Sequence, residues 1–369
     1  CLQLVRAQFA LLIGLSPLTV LFFQRIALLA PFVNLFVVPL FSFVTVPLAL
    51  ICLALLPLST DAASVVMKVA AYSIRLVERV IGLFADSPVA NTDIAGVDGD
   101  DTSLWLILLL PLAALLVPRG IPGRWAGIAG IICLLLYRPA APPHGCVEAS
   151  VLDVGHGLAV VLQGAGHVLL YDTAAPLRGS GAVAGQTVVP FLKYRGIRFL
   201  DHVVVSHGDA DHAGGFQVIA DAMRIGAVVS GESLPVAELE TTRCRSGHRW
   251  SVDGVEYEFL HPEGQEAFDG NDASCVLLVS AGRSRLILTG DIERAAERRL
   301  LKRAVLPTVD VAVIPHHGSL TSSTPDLVDR LSADMAIAST RHGNRWNFPE
   351  EAVVRRWQSS GAKVLDTAT

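Results

Sequence analysis

A short stretch of the chain, SHGDADHAGG at residues 206–215, holds the densest group of side chains that could do chemistry. His207, Asp209, Asp211 and His212 fall within six residues, and two glycines follow them. Imidazole and carboxylate together suit zinc, manganese or iron, and a high share of carboxylate favours the harder ions. These side chains can converge on one or two cations only where the loop turns sharply, and glycine permits the close backbone approach that this requires. The stretch therefore predicts a site for a divalent metal.

Two further polar clusters follow apolar runs in the same half of the chain. Asp291 follows LILTG, and His316 and His317 follow VAVIP, much as His207 follows HVVVS. Strand ends with rigid apolar residues behind them are good places for ligands, because metal geometry tolerates little displacement. Each cluster alone has an ordinary interpretation: Asp209 could cap a helix, and HHG and TGD could be simple turns. Their occurrence together, in this order, favours a single site.

The elements that must position these clusters are short apolar strands alternating with helical stretches. Strands are predicted at Glu148–Val154, Leu158–Gln163, Val168–Asp172, Asp201–Val205, Gly254–Leu260, Cys275–Val279, Arg285–Thr289, Asp310–Ile314 and Met335–Ser339. Helices are predicted at Thr187–Tyr194, His212–Arg224, Ile292–Val305, Pro325–Leu331 and Glu350–Trp357. Strands come first and helices then mix with strands, twice over. This order is typical of two packed sheets with helices outside.

The composition changes at the breaker-rich segment RPAAPPHG, residues 138–145. Long apolar runs dominate before it, and charged residues after it reach the density of an ordinary soluble domain. We therefore predict one domain at residues 1–145 and a second at residues 146–369. The chain opens on Cys1 and enters an apolar run at once, which we interpret as a fragment of a longer protein. A lipidated N-terminal cysteine is the alternative.

The first domain has the sequence of a helical membrane segment. Apolar runs cover Phe9–Phe23, Ile26–Leu58, Leu104–Pro118 and Trp125–Tyr137, and a bilayer span needs roughly 20 apolar residues. The second run is interrupted by Pro31, Pro39 and Pro47, which kinked helices in a bundle tolerate. The last two runs predict a helical hairpin.

An amphipathic helix is predicted near residues 61–84. Its apolar positions, at helical spacing, are Val65, Val69, Tyr72, Leu76 and Val80, and its charged positions are Lys68, Arg75, Glu78 and Arg79. The pattern fits a helix in the membrane interface. It fits equally well a helix packed inside a bundle with a few snorkelling charges.

Charged loops predict the orientation of the spans. The turn with Arg119 and Arg124 is basic and should face the cytoplasm, whereas residues 86–101 carry five aspartates and no base. The second domain would then lie outside the cytoplasm, in the periplasm where there is one, attached to a multi-pass protein of the inner membrane. The cysteines after residue 145, Cys146, Cys244 and Cys275, lack paired zinc spacing and do not decide the compartment.

The motifs taken together resemble those of known families. HGDADH at residues 207–212 resembles the HxHxDH signature of the metallo-β-lactamase fold, with aspartate at the second histidine position. TGD at residues 289–291, PHHGS at 315–319 and LDVGHG at 152–157 are similar to further motifs of that fold, with His156 in place of a more usual glutamine. With GLSPLTVLFFQRI and VNLF upstream, essentially the whole chain resembles the C-terminal part of the ComEC family, the DNA-uptake channels of naturally competent bacteria.

The resemblance implies a four-layer αββα domain with one or two metal ions, manganese or zinc being favoured. His207 and Asp209 would bind one ion and Asp211 and His212 a second, with Asp291 bridging. One of His316 and His317 would complete the second site. We favour His317 as this ligand and His316 as a phosphate-facing acid or transition-state contact, and Asp211 and His316 are the predicted catalytic residues. We expect Asp153 and Asp172, at strand ends, to support the ligand loops. The chain departs from the family at residues 271–274, where NDAS has no histidine, and at Phe348, where many relatives have one.

The chemistry that fits this site is phosphodiester hydrolysis. In the family picture one DNA strand enters the channel and the other is degraded, which predicts a metal-dependent nuclease for the discarded strand. A metal-bound structural or DNA-guiding module without turnover is the alternative, and a hydrolase of small phosphodiesters is another. Expected partners are DNA, the membrane, other DNA-uptake proteins and further copies of the chain. With 34 acidic and 29 basic residues there is no broad basic surface, so DNA contacts must be local. A row of arginines at Arg294, Arg298, Arg299 and Arg303 is best interpreted as a solvated helix face paired with Glu293 and Glu297.

Overall fold

The computed structural model describes residues 2–23, 25–85, 92–93, 129, 132, 139–177, 181–232, 240–263, 269–303 and 306–368. The chain forms two compact units, one of residues 1–139 with 194–196 and one of residues 140–193 with 197–369. Nearly all of the hairpin predicted at Leu104–Pro118 and Trp125–Tyr137, the basic turn at residues 119–124 and most of the acidic loop at 86–101 lie outside the described residues. Those predictions stay predictions.

The first unit is helical in its described part. Its helices are α1 (Leu2–Phe23), α2 (Ala30–Leu40), α3 (Val46–Leu55) and α4 (Thr60–Ala85), with a minimal two-stranded ladder of β1 (Arg25–Ile26) and β2 (Thr92–Asp93). Within the described residues, one continuous helix of 26 residues, Ala30–Leu55, is long and apolar enough to cross a membrane. The stretch Gln3–Ser16 is apolar but shorter. The expected bundle of several spans is therefore not confirmed.

The prolines of the second apolar run are accommodated inside that continuous helix. Residues Phe41–Thr45 between α2 and α3 form a π-helical turn, which follows Pro39 directly. Proline removes a backbone donor and crowds the preceding turn, and a π turn is one way for a helix to absorb the disturbance. The run is thus one helix with a local irregularity, and not two short helices.

Helix α4 packs through its small residues. Ala63, Ala70, Ser73 and Val77 are buried, and the hydroxyl of Ser73 lies 2.9 Å from that of Thr45. The predicted apolar stripe instead faces away from the described helices, with Val65 61%, Val69 50% and Tyr72 63% exposed. The described residues therefore leave the stripe uncovered, and both interpretations of it, a helix in the membrane interface and a helix packed inside a bundle, stay predictions.

The second unit is built on two sheets. The first has six strands in the order β10–β9–β8–β5–β4–β3. They are β3 (Glu148–Val151), β4 (Val160–Gln163), β5 (Val168–Tyr171), β8 (Phe199–Val205), β9 (Arg224–Ser230) and β10 (Thr241–Arg243). β3, β4 and β5 pair antiparallel, whereas β5, β8, β9 and β10 pair parallel. A separate two-stranded ladder joins β6 (Pro176–Leu177) to β7 (Gly181–Ala182).

The second sheet has seven strands in sequential order from β11 to β17. They are β11 (Arg249–Val252), β12 (Val255–His261), β13 (Val276–Ala281), β14 (Ser284–Leu288), β15 (Val311–Val313), β16 (Met335–Ala338) and β17 (Lys363–Asp366). The strands are antiparallel up to β14 and parallel from β14 to β17. Each sheet therefore has a parallel part, and connections through helices bring successive strand ends to the same edge.

Helices cover the outer face of each sheet. On the first sheet these are α5 (Val183–Gln186), α6 (Val188–Tyr194) and α8 (Phe216–Ala222), with the short α7 (Ala210–Ala213) after β8. On the second they are α9 (Arg294–Lys302), α10 (Pro325–Leu331) and α11 (Glu351–Ser359). A third buried cluster, which includes Tyr171, Tyr257 and Phe259, lies between the sheets. The predicted four-layer αββα architecture is confirmed.

Most predicted elements exist, with edges shifted by a few residues, and the helix at Pro325–Leu331 matches at both ends. Thr324 precedes that helix and Pro325 occupies its first turn, where a missing backbone donor costs nothing. The predicted helix at His212–Arg224 was wrong in its extent: the chain breaks at Gly214 and Gly215, and Arg224 already starts β9. Strands β9, β10, β11 and β17 were missed, and the last three have only three or four residues, too few for a pattern to stand out.

Candidate metal centre

The polar clusters of the sequence meet at one edge of the two sheets. Asp172 follows β5, His207 follows β8, Asp291 follows β14 and His317 follows β15. These strands belong to the parallel parts of their sheets, and loops at the carboxyl ends of parallel strands form the usual ligand-binding edge. Residues more than a hundred positions apart in sequence are thereby brought into contact.

Four side chains form the centre of the site. Asp211, His212, Asp291 and His317 each offer one ligand atom, and these atoms all lie within 4.8 Å of one another. The Nε2 atom of His212 is 3.1 Å from an oxygen of Asp291, and the Nε2 atom of His317 is 3.5 Å from oxygens of both Asp211 and Asp291. Three of the four are buried. Among the described residues this is the one group of histidine, cysteine or acidic side chains that could hold a metal ion.

Asp172 fixes the orientation of His212. The carboxylate is fully buried and accepts a hydrogen bond of 2.7 Å from Nδ1 of His212. It also accepts from the backbone N–H of Ser206 at 2.6 Å and from the Ser206 hydroxyl at 2.8 Å. With Nδ1 held in this way, Nε2 points into the centre. Metal-binding histidines are commonly oriented by a carboxylate on the other ring nitrogen, so the predicted supporting role of Asp172 has a clear geometric basis.

His317 is oriented by the backbone. Its Nδ1 donates to the carbonyl oxygen of Ser339, at the end of β16, over 2.8 Å. His316 and His317 adopt left-handed backbone conformations, with φ of 47° and 53°. Non-glycine residues reach that region only at a cost, which the surrounding structure must offset. Because of this turn, the side chains of His316 and His317 point in different directions. Of the two, only His317 belongs to the group of four.

The loop with LDVGHG presses against Asp211. A Cβ atom on Gly157, whose φ is 135°, would collide with the carbonyl oxygen of Asp211, so this position requires glycine. His156, next to it, places Nε2 3.3 Å from an oxygen of Asp211 and stacks on Trp346. His156 therefore contacts a candidate ligand. Asp153 caps the same turn through the backbone N–H of Gly155 and is exposed. Its predicted support is limited to this turn, because no hydrogen bond or ion pair joins it to a ligand in the described part of the chain.

The charges in the centre are strongly coupled. Burial acts to raise the pKa of Asp291, but His212 and His317 hold that pKa well below its usual range. Burial acts to lower the pKa of His212, but Asp291 and Asp172 hold it well above its usual value. The pKa of His317 is likewise raised by Asp291 and Asp211 against the effect of burial. The centre thus favours positive charge, which protons or a cation can supply.

His207 and Asp209 lie beside this group but outside it. Their Nε2 and Oδ2 atoms are 3.5 Å apart, and the Asp209 side chain is 60% exposed. The His207 ring is fully buried, with Nδ1 beside the hydroxyls of Ser206 and Ser274, and its Nε2 has no hydrogen-bond partner among the described residues. Burial and the neighbouring His212 lower the pKa of His207. A neutral imidazole with an unpartnered nitrogen has the form that binds a metal.

His316 faces the rim of the centre. Its Nδ1 is 3.1 Å from an oxygen of Glu293 and 3.1 Å from the hydroxyl of Thr321, while its Nε2 is 3.8 Å from Asp291. About a fifth of the side chain is exposed, at 21%. The ring is therefore in reach of a molecule bound at the centre without being one of the four grouped ligands.

The segment without the expected histidine contributes a serine. Ser274 has no imidazole to bind a metal. Its hydroxyl accepts a 3.0 Å hydrogen bond from the backbone N–H of Asp291 and lies 3.3 Å from Nδ1 of His207. Asp272 instead caps the backbone N–H of Glu293 at 2.8 Å. Residues 271–274 thus hold the ligand loops and supply no ligand of the group of four.

The arginine row on α9 differs from its predicted surface pairing. Glu297 is fully buried and accepts hydrogen bonds from the backbone N–H groups of Ser323 and Thr324 at 2.5 and 2.8 Å. Arg294 donates to the carbonyl oxygen of Leu320 over 2.6 Å, and Arg303 pairs with Glu263 at 3.2 Å. The prediction that Glu297 pairs with arginine at the surface is wrong, because it joins α9 to the start of α10.

A disulfide was not foreseen in the sequence. Cys244, beyond β10, is bonded to Cys275, which precedes β13, and both are buried. The bond links the two sheets one residue from Ser274. Their spacing gave no signal, since the sequence separation of 31 residues resembles no motif. Cys146 is free and exposed.

Two family models match the two parts of the chain. Residues 1–119 match a family model described as competence protein. Residues 152–342 match the model of the metallo-beta-lactamase superfamily. The second match covers more than half of the chain and contains every residue of the candidate centre.

Related proteins are similar along nearly the whole chain. Competence protein ComA of Neisseria gonorrhoeae is 34% identical over 98% of this chain and 50% of its own length. ComE operon protein 3 of Bacillus subtilis is 25% identical over 96% of this chain and 49% of its own length. The chain thus spans about half the length of these relatives. Igni18, a metallo hydrolase of Ignicoccus hospitalis, is 14% identical, with a TM-score of 0.41 over 60% of this chain and 95% of that one.

Proposed function

Because the chain is a ComEC-family competence protein whose second domain belongs to the metallo-β-lactamase superfamily, we propose that this domain is a metal-dependent nuclease. It would hydrolyse phosphodiester bonds in the DNA strand that is not transported, while the membrane domain passes the other strand. The observation that carries the proposal is the convergence of Asp211, His212, Asp291 and His317 on one point at the ligand-binding edge of the sheets.

The donor set fits a divalent cation. Two imidazoles and two carboxylates converge, and Nδ1 of His212 and of His317 is held by a hydrogen bond that leaves Nε2 directed inward. The buried, unpartnered Nε2 of His207 is a further donor beside them. The group of four would hold one ion, and the pair His207 and Asp209 would hold a second. Manganese or zinc suits this mixture of nitrogen and oxygen.

A bound ion would supply Lewis-acid stabilisation of a phosphoryl oxygen and a nucleophilic water at neutral pH. The protein supplies orientation and a proton. Asp211, which contacts both His317 and His156, would position the attacking water. His316, with Nδ1 beside the Glu293 carboxylate and Nε2 toward the centre, would hold a proton at Nε2 for the leaving oxygen. Glu293 would stabilise the protonated ring.

The disulfide supports placement of this domain outside the cytoplasm. Disulfides persist in the periplasm and other oxidising compartments and are rare in the cytosol. We therefore retain the proposal that the domain is extracytoplasmic, attached to a multi-pass protein of the inner membrane. There it would meet incoming DNA, other DNA-uptake proteins and further copies of the chain.

A DNA-guiding module without turnover is the second candidate. The observation in its favour is that residues 271–274 supply a serine where the fold usually supplies a histidine, and that Asp209 is largely exposed. A first ion held by His207 and Asp209 alone would have few protein ligands, and catalysis that needs two ions would then fail.

The test is cleavage of labelled single- and double-stranded DNA by the full chain in detergent, with manganese, zinc, magnesium or a chelator. We expect metal-dependent degradation that Asp291→Asn abolishes and that Asp221→Asn leaves intact. Asp221 is an exposed carboxylate on α8 that bonds Gln217, so it is a matched control. Absence of cleavage by a preparation shown to contain stoichiometric metal would reject the nuclease and favour the guiding module.

A further inference from the structure

An exposed tryptophan stands beside the centre, within a stack of three side chains. Trp346 is 42% exposed, and its ring centroid lies 4.1 Å from that of His156, with 19° between the planes. The guanidinium carbon of Arg345 lies 4.0 Å from the Trp346 ring. His156, Trp346 and Arg345 therefore form a column of flat groups, which we call the aromatic column.

The inner end of the aromatic column touches the candidate ligands. His156 places Nε2 3.3 Å from an oxygen of Asp211, and its ring centroid is 4.8 Å from that of His317. The column leads from the centre to the surface.

The loop that carries the column is held in place. The Asn344 side chain donates to the carbonyl oxygen of Phe348 over 2.5 Å and accepts from its backbone N–H over 2.9 Å. The backbone N–H of Glu350 donates to the carbonyl oxygen of Gly318 over 3.0 Å, which ties the loop to the turn of His317. A Cβ atom on Gly318 would collide with Pro349. Trp346 is therefore presented at a set position beside the centre.

Two arginines of this loop are available to an anion. Arg341 and Arg345 are exposed, and neither forms an ion pair with any residue that the structure describes. The Arg341 side chain lies against Gly155, in the loop of His156. The chain as a whole carries a net charge of −5. These two arginines would nevertheless attract a polyanion that approaches the centre.

We propose that the aromatic column and Arg341 form a nucleotide-binding subsite for single-stranded DNA. A base stacks on the exposed outer end of the aromatic column, and the adjoining phosphate contacts Arg341. Aromatic rings and arginine planes both stack nucleobases, and an adjacent cation tracks the backbone. The subsite deepens the proposed nuclease function and rests on it, since it would hold the strand beside the centre with a base as the recognised group.

The test measures binding without turnover. The affinity of the full chain in detergent, with a chelator present, is measured by fluorescence anisotropy for labelled oligothymidylate and for an abasic oligonucleotide of equal length. We expect Trp346→Ala to weaken binding of the oligothymidylate about tenfold, in line with the loss of one stacked base. Binding of the abasic strand should change little. Trp346→Phe should restore most of the affinity, because it keeps an aromatic face.

A matched control is Phe199→Ala. Phe199 is another exposed aromatic residue with an arginine near its ring, at 5.9 Å, but it starts β8 whereas the centre lies beyond the end of that strand. It should leave both affinities unchanged. Arg341→Ala should weaken binding of both oligonucleotides alike, because it removes a phosphate contact.

Two results separate this inference from the nuclease proposal. Equal affinity of Trp346→Ala and the parent chain for oligothymidylate would overturn the subsite, whether or not DNA is cleaved. Tryptophan-dependent binding of oligothymidylate by a chain that does not cleave DNA would support the subsite and reject only the nuclease. A parent chain that neither binds nor cleaves DNA would reject both proposals.

Discussion

At the scale of residues, the second nitrogen of each imidazole decides what the first can do. His212 and His317 have Nδ1 tied to Asp172 and to the Ser339 carbonyl, so both present Nε2 to the same point. His316 has Nδ1 beside Glu293 and faces the rim. The three histidines therefore have different expected roles, two as metal ligands and one as a proton donor. Their hydrogen-bond partners account for the difference.

We expect Asp172→Asn to weaken metal binding while the fold is retained. The amide fits the same space but cannot offer His212 the charge-assisted hydrogen bond, and loss of such a partner typically costs 10- to 100-fold in affinity. Competition with a fluorescent zinc chelator measures the change. Asp221→Asn, on the surface of α8, is the control, and equal affinity of both variants would show that Asp172 does not act through the metal.

At the scale of elements, strand β8 leads from one histidine to another with different surroundings. His207 lies just past its carboxyl end in the candidate centre, whereas His202 lies in the middle of the strand. His202 stacks on Trp250, with ring centroids 5.3 Å apart, and meets the ring of His167 edge-on, with centroids 5.1 Å apart. This packing gives His202 a structural role.

His202 and its neighbour His167 should make the fold sensitive to acid. Burial lowers the pKa of His202, with His167 and His248 acting in the same direction and Asp201 against it. Burial also lowers the pKa of His167, against the effects of Asp201 and Asp253. A folded-state pKa below the unfolded value means that the unfolded chain binds more protons. The contribution of these neutral histidines to the free energy of unfolding is therefore fully present above the unfolded-state pKa of about 6.5. It is lost as the pH falls towards the lower folded-state pKa values.

We expect His202→Phe to reduce this acid sensitivity. Phenylalanine retains the stack on Trp250 and has no charge to gain, so the urea midpoint should fall less between pH 7.5 and pH 5 than in the parent chain. Tryptophan fluorescence follows the unfolding. Midpoints at pH 8, where the imidazoles are neutral, give the effect of packing alone and serve as the control. Parallel pH profiles would contradict the assignment.

At the scale of the whole molecule, one covalent bond joins the two sheets beside the centre. The disulfide of Cys244 and Cys275 holds the start of β13, and Cys275 also donates its backbone N–H to the carbonyl oxygen of Ser206 over 3.0 Å. Ser206 in turn bonds Asp172. The crosslink is thus connected to the residues that orient His212.

Replacement of both cysteines by alanine should lower the free energy of unfolding of the second unit by about 2–4 kcal/mol. The physical reason is the larger conformational freedom of the unfolded chain once a loop of this size is open. Urea unfolding with and without reductant measures the effect, which reductant should reproduce in the parent chain only. Cys146→Ala, at the exposed free cysteine, should have no effect. Equal midpoints for the double variant and the parent would argue against a stabilising disulfide.

The helices of the first unit show what proline positions and hydrophobic periodicity do not predict. The apolar run at Ile26–Leu58 was correctly assigned to helix, but its prolines predicted interruption and the structure has a continuous helix with one π turn. The stripe of Val65, Val69 and Tyr72 predicted a helix either in the membrane interface or inside a bundle, and among the described residues α4 packs through Ala63, Ala70 and Ser73. Hydrophobic periodicity shows which face of a helix is apolar. Whether that face is buried also depends on where small residues allow two helices to pack closely.

Local chemistry in the sequence was sufficient to predict the αββα fold and the loops that carry the candidate ligands. Strand patterns and terminal motifs depend on neighbours in sequence, so HGDADH, TGD and PHHG could be placed at strand ends without coordinates. The family resemblance implied that Asp211, His212, Asp291 and His317 group together with His207 and Asp209 beside them, but only the tertiary structure gives the contacts that bring the four ligand atoms within 4.8 Å of one another. The same holds for the disulfide, for the burial of Glu297 and for the stack of His156 on Trp346. These contacts join residues of different layers and loops, and their distances follow from sheet register and packing, which no short stretch of sequence contains.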